Sequence, residues 1–169
     1  MVNWKIGEYF KMNLNIITES PEETKKIGER ISKLVIPGDL FAFYGELGAG
    51  KTCLIQGISQ GLKVQDYVTS PSFTIINEYK GKIPVYHFDL FRLNSTEEFL
   101  DLGYEEYFYG KGLTVIEWAE KIENFLPNNH LKINIKFNNY CKRTISFFPQ
   151  GDRFEIFLRE LIKIENFGD

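Results

Sequence analysis

The sequence predicts an α/β sandwich built on a mixed sheet, parallel at its centre and antiparallel where hairpins occur. Three observations carry that expectation. Helical and strand periodicities alternate through the first half of the chain, the pattern of parallel strands joined by helical crossovers. Later, strand-like segments come in adjacent pairs with short polar connections, the pattern of antiparallel hairpins. Between an apolar strand and an apolar-faced helix stands a glycine-rich loop, Gly45 to Thr52.

Each element has a local cause. Asn13 to Thr18 shows a short apolar alternation that suits a strand. Ser20-Pro21-Glu22-Glu23 is a helix start, with Ser as the cap, Pro at the first helical position and Glu three residues after the cap. Ile27, Ile31 and Leu34 then recur at helical spacing, and Pro37-Gly38 is expected to end that helix. Leu40 to Tyr44 is a short apolar run fit for a buried strand. After the glycine-rich loop, Leu54, Ile55, Ile58 and Leu62 line one helical face, which Gly61 helps to terminate. Phe73 to Tyr79 and Ile83 to Leu90 form two strands joined by Lys80-Gly81-Lys82. Asn94 to Glu97 starts another helical stretch, broken near Gly103. Leu113 to Trp118 is a β-branched strand, and Ala119 to Phe125 a helix that stops before Pro127. Leu131 to Phe137 and Lys142 to Phe148 alternate as strands around Asn138-Asn139, and Phe154, Phe157, Leu158, Leu161 and Ile162 mark a closing helix.

Composition bounds the function. A chain of 169 residues suits one domain, here residues 12–169, after an extension over residues 1–11. Hydrophobic residues at 43% and charged residues at 25% are the balance of a soluble globular protein, and the high aromatic content reads as a Phe-rich core rather than a stacking surface. A net charge of −3 argues against tight autonomous binding of nucleic acid, which needs a basic excess to neutralise phosphates. Cys53 and Cys141 stand far apart without a CxxC or a paired His, which excludes common zinc spacings and leaves two buried, reduced thiols as the expectation. The first residues, MVNWKIGEYF, lack the apolar run of a signal peptide, and no segment is apolar for long enough to span a membrane. A cytoplasmic protein with no membrane role is therefore expected, and the sequon Asn94-Ser95-Thr96 is not expected to be glycosylated.

Gly45-Glu46-Leu47-Gly48-Ala49-Gly50-Lys51-Thr52 matches the phosphate-binding pattern G-x-x-x-x-G-K-[ST]. Glycines let backbone N–H groups turn inward and approach phosphates without a Cβ in the way. The helix that opens at Lys51 aims its positive dipole end at them, with Cys53 in its first turn. Lys51 supplies a cation for the β- and γ-phosphates, and the Thr52 hydroxyl is a ligand for Mg²⁺. The expected ligand is ATP with Mg²⁺, and the fold becomes a P-loop NTPase-like three-layer sandwich with a largely parallel, mixed sheet.

Such a loop needs a carboxylate for the metal and a group that orients the attacking water. Asp89 ends the strand Val85 to Phe88, and Glu117 ends the strand Leu113 to Ile116. Ligands gather at the carboxyl ends of parallel strands, so both can face the phosphates. Lys51, Glu117 and Asp89 are the catalytic candidates; Thr52, Asp89 and Glu117 are the metal candidates. Thr69 and Ser70, in Val68-Thr69-Ser70-Pro71-Ser72, stand where nucleotide switches sense the γ-phosphate. Arg92 can pair with a phosphate or a carboxylate. His87 reads as a core or edge histidine. Trp118 is either core or at the nucleotide or partner surface.

Several segments together resemble one family. GELGAGKT, VTSPSFTIINEY, HFDLFRL, LGYEEYF and VIEWAEKI stand in the order of the TsaE (YjeE) family and span Glu19 to Leu126. The resemblance implies a small α/β ATPase, weak alone. It would act with the TsaD–TsaB pair in making N6-threonylcarbamoyladenosine (t6A) in tRNA, touching tRNA only through that complex. It puts the weight on Lys51, Thr52, Asp89, Glu117 and Trp118. Ser72 replaces the family's usual Thr and keeps a hydroxyl; Phe91 replaces its usual Tyr and loses a phenol. Two other readings share the loop: a small-molecule kinase, for which the scattered Arg143, Arg153 and Arg159 offer no lid, and a non-catalytic module assembled by ATP. No N-K-x-D guanine motif occurs, so GTP is disfavoured.

Overall fold

The computed structural model describes residues 12–71, 74–139 and 141–166, and the extension expected over residues 1–11 lies outside them. Along the chain the strands are β1 (Leu14–Thr18), β2 (Leu40–Tyr44), β3 (Ile76–Tyr79), β4 (Val85–Asp89), β5 (Leu113–Glu117), β6 (His130–Asn139) and β7 (Lys142–Gln150). The helices are α1 (Pro21–Ser32), α2 (Lys51–Gly61), α3 (Thr96–Leu100), α4 (Glu105–Phe108) and α5 (Asp152–Asn166), with a 3₁₀ stretch over Ala119–Phe125.

The helix starts form as their sequences dictate. The Ser20 hydroxyl accepts from the Glu23 N–H at 3.1 Å, and the Glu23 carboxylate accepts from the Glu19 N–H at 2.7 Å. Ser95 caps α3 in the same way, accepting from the Glu98 N–H. Several boundaries shift from expectation, two of them for clear local reasons. Helix α1 stops at Ser32 rather than at Pro37-Gly38, because the N–H groups of Lys33, Leu34 and Val35 turn to the carbonyls three residues back. Strand β3 begins at Ile76, since Ile75 has a positive φ of 60°, costly for a β-branched residue, and cannot continue a strand.

The sheet order is β1-β7-β6-β2-β5-β4-β3. Neighbours from β6 through β2 and β5 to β4 are parallel. Both flanks are antiparallel: β4 with β3 on one side, β6 with β7 and β7 with β1 on the other. Three pairings are thus parallel and three antiparallel, with the parallel block in the middle, where crossover helices cover both faces.

One face packs Phe41, Phe43, Val115 and Ile133 against α1, α2 and α5. The other packs Leu40, Ala42, Phe88 and Ile116 against α3, α4 and the 3₁₀ stretch. The core is rich in phenylalanine, as expected, while Tyr67, Tyr109, Phe137 and Phe91 stay exposed. Phe41, Phe43, Phe88, Phe99, Phe147, Phe154 and Phe157 are fully buried, and Phe41 meets the rings of Phe154 and Phe157 edge-on at 6.0 and 5.6 Å. Each such ring contributes roughly 2–3 kcal/mol by leaving water. Arg153 in the first turn of α5 grips the buried Asp39 with two hydrogen bonds, of 3.0 and 2.6 Å, and so clamps that helix to the entry of β2. The thiols depart from expectation: Cys141 is exposed at the β6–β7 turn and Cys53 is half-buried, so neither belongs to the core. Among the described residues no helix is long and apolar enough to cross a membrane.

His130 opens β6, half-buried, with Nδ1–H donating to the Pro127 carbonyl at 2.7 Å. Burial holds its pKa below the ordinary value of 6.5, partly offset by that carbonyl. The unfolded chain therefore binds more protons than the fold as pH drops through about 6.5, and stability falls there while staying level at higher pH. His130→Asn keeps a donor toward Pro127 without titrating. Melting profiles between about pH 5 and 8 should show a shallower acid decline in that variant than in the wild type; identical slopes would assign the decline to other groups.

Candidate functional site

The topology gathers the marked residues at one edge of the sheet. Strands β2, β5 and β4 run parallel, so their C-terminal ends face the same way. Tyr44 leads directly into the glycine-rich loop, Phe43 is the register partner of Glu117, and Glu117 is the register partner of Asp89. Above that edge lies a cleft of about 620 Å³, within the range of small-molecule sites. Leu47 through Cys53, Ser70, Asp89, Glu117 and Trp118 line it.

The loop's shape depends on two glycines. Gly45 has a φ of 135°, and a Cβ there would sit 2.3 Å from the Ile135 carbonyl oxygen on β6. Gly50 has a φ of 108°, and a Cβ there would press within 2.9 Å of Arg143 Nε. Gly50 is also the cap residue of α2 and no side chain caps that helix, so its leading N–H groups are left for a ligand. Leu47, at the tip, is 76% exposed, while Ala49 is buried beneath it.

Lys51 is buried, and its ammonium is held inside the loop. Nζ donates to the carbonyls of Gly45 at 2.6 Å and Glu46 at 3.0 Å, and lies 4.0 Å from the Trp118 ring centroid. Burial draws its pKa down, and the carboxylates of Glu117, Glu120 and Asp89 push back. Gly45 and Glu46 thus enter the site through their carbonyls. Trp118, expected to close the strand, instead follows β5 and caps the 3₁₀ stretch in the left-handed region, φ 62°, an uncommon conformation for a bulky residue that is typical of functional sites. Its ring also leans on Phe91 at 5.0 Å.

The two carboxylates occupy different surroundings. Glu117 Oε1 accepts from the Thr52 hydroxyl at 2.8 Å and is 3.0 Å from His87 Nε2. Asp89 accepts from the Ser70 hydroxyl through Oδ2 and from the Phe91 N–H through Oδ1 at 3.0 Å. Thr69 is exposed and outside the lining; its backbone N–H and carbonyl both bond the Tyr79 hydroxyl. Ser72 falls outside the described residues. Cys53 lines the cleft, with its thiol 3.4 Å from the Pro21 carbonyl and its pKa raised by burial. Arg92 lies exposed at the cleft wall.

Two residues named in the sequence without a site role belong to the site. His87 lies two positions before Asp89 on β4 and so on the same strand face, a spacing that was visible, but its contact with Glu117 depends on β4 pairing with β5. Arg143 reaches in from β7 and donates from Nε to the Ala49 carbonyl at 3.1 Å, bracing the loop from outside. Nothing local marks it, because the contact bridges 94 residues.

The donor set suits the expected ligands. Leading amides, a buried ammonium and an open glycine bend suit a polyphosphate. Hydroxyl and carboxylate oxygens from Thr52, Glu117 and Asp89 suit a hard cation. Among the described residues no group of three His, Cys, Asp or Glu side chains could hold a metal by itself. Mg²⁺ characteristically takes one or two carboxylates and completes its shell from water and phosphate.

Known proteins point one way. A family model described as threonylcarbamoyl adenosine biosynthesis protein TsaE matches residues 18–145. The tRNA threonylcarbamoyladenosine biosynthesis protein TsaE of Bacillus subtilis is 42% identical over 153 residues, covering 90% of this chain and 96% of the relative. Its namesake in Treponema pallidum is 37% identical over 123 residues, covering 73% and 91%. The crystal structure of Bacillus subtilis YdiB superposes with a TM-score of 0.79 at 37% identity, covering 94% of this chain and 99% of that one.

Proposed function

The chain belongs to the TsaE family and takes part in tRNA threonylcarbamoyladenosine biosynthesis, and from that premise we propose that it does so as a Mg²⁺-dependent ATPase. The observation that carries the reading is the cluster at the head of α2. A buried ammonium, uncapped helix amides and the Thr52–Glu117 pair converge on one cleft.

The loop amides and Lys51 bind the triphosphate and neutralise charge as it develops on the transferring γ-phosphoryl group. To meet a phosphate, Lys51 gives up its bonds to Gly45 and Glu46, which exchanges neutral acceptors for a charged one. Thr52 and Glu117, already in contact, are the residues to hold Mg²⁺, with Asp89 beside them. Bound there, the ion would neutralise phosphate charge and help to orient the triphosphate. Asp89, fixed by Ser70 and the Phe91 N–H, orients the attacking water in line with the γ-phosphorus. Attack forms the new P–O bond, breaks the bond to ADP and releases phosphate. The loop carrying Thr69 and Ser70 reports the nucleotide state through that bond to Asp89. The acidic balance of the chain favours action on a protein complex of the TsaD–TsaB type over direct grip on tRNA.

Phosphate release from ATP, measured with Mg²⁺ and with or without a TsaD–TsaB-type pair, tests the reading. Slow release alone and faster release with the pair is the expected result. Absence of release under both conditions would reduce the chain to a binding module, and a phosphorylated small molecule in place of free phosphate would make it a kinase.

A further inference from the structure

His87 is fully buried, and among the described residues its ring makes a single hydrogen bond. Nε2 lies 3.0 Å from Glu117 Oε1, while Nδ1 has no partner among the described residues. An ionised carboxylate cannot donate, so the hydrogen of that bond is on Nε2. Nδ1 is then a bare lone pair, the less costly state, because an N–H there would be an orphaned buried donor costing about 1–3 kcal/mol. A fold that wanted only packing here would use an apolar side chain. Val85 on the same strand and Val115, the register partner of His87, share this face and are apolar. An imidazole with one unsatisfied nitrogen is kept for one contact, and that contact is Glu117.

We propose that His87 is a positioning residue that fixes the Glu117 carboxylate for the nucleotide site, a role that rests on the reading of Glu117 given above. Glu117 Oε1 collects two donors, Thr52 and His87, and no residue among those described donates to Oε2. The two donors are not equivalent. Thr52 lines the cleft, whereas His87 is buried and is not among the residues lining it. The His87 bond is therefore the one that holds the carboxylate rotamer while the cleft fills and empties. Outer partners of this kind change metal affinity or activity by about 10–100-fold when lost.

The test compares His87→Leu with His87→Gln, whose amide donor reaches toward the place of Nε2. Isothermal titration of ATP with and without Mg²⁺ is the readout, with ATP turnover beside it. In His87→Leu the Mg²⁺-dependent gain in ATP affinity should fall about 10–100-fold, with Mg²⁺-free affinity near the wild-type value. His87→Gln should recover most of the gain. Full Mg²⁺ dependence in His87→Leu, or equal losses in both variants, would overturn the proposal. Should either variant fail to fold, ¹⁵N-histidine spectra of the wild type and Glu117→Gln decide. Protonation at Nε2 and a His87 shift on the Glu117 change are expected; protonation at Nδ1 overturns it. A wild-type protein whose ATP binding ignores Mg²⁺ would defeat the ATPase reading, and the histidine spectra would then judge His87 alone.

Discussion

Lys51→Ala is expected to weaken equilibrium ATP binding by about 100-fold or more. The ammonium is the positive charge that the loop brings to a ligand, and it is held there already: buried, bonded to two loop carbonyls and lying over Trp118. Hydrogen bonds to charged groups are worth roughly 1.5–3 kcal/mol each, and two phosphate contacts therefore amount to at least two decades in affinity. The loop's main chain does not depend on the lysine alone. Arg143 still grips Ala49, and Gly45 still packs on β6. The folded variant should thus melt close to the wild type while losing the ligand. Calorimetric titration checks the first point and thermal unfolding the second. Unchanged affinity in a folded Lys51→Ala protein would remove the basis for calling 45–52 a phosphate loop.

The second large effect is expected at Glu117. Glu117→Gln preserves shape and still accepts from Thr52, but removes the negative charge at the end of β5. ATP binding without Mg²⁺ should change little, because the amides and Lys51 are intact. The gain in affinity on adding Mg²⁺ should largely vanish, and hydrolysis should fall about 100-fold or more. Single-turnover phosphate release and paired titrations with and without Mg²⁺ measure both. Retained Mg²⁺ dependence with lost turnover would move Glu117 from holding the metal to activating water, and full retention of both would take it out of the site.

The parts of this site that were legible in the sequence are those whose causes are local. The phosphate loop declares itself through glycine spacing and the helix that follows. The capped starts at Ser20 and Ser95 rest on hydrogen bonds spanning three residues. Asp89 and Glu117 could be nominated because each ends an apolar strand. What periodicity does not encode is the lateral order of strands. The identity of the carboxylate touching Thr52 follows from β5, not β4, lying beside β2. The same lateral order turns His87 from an ordinary buried residue into a partner of Glu117 and brings Arg143 from β7 onto the loop. Asp39 and Arg153, 114 residues apart, meet because α5 packs back over the entry of β2. The thiols were misplaced because cysteine's usual preference for burial yielded to position: Cys141 falls in a hairpin turn and Cys53 in a helix turn that borders the cleft.

A crystal grown with Mg²⁺ and a slowly hydrolysed ATP analogue reads the central feature most directly. The β- and γ-phosphates are expected inside the bend formed by Gly45 to Thr52, with Lys51 Nζ moved off the carbonyls of Gly45 and Glu46 and onto phosphate oxygen. Clear density for the analogue elsewhere, with the bend empty and Lys51 still bonded to its own loop, would contradict it.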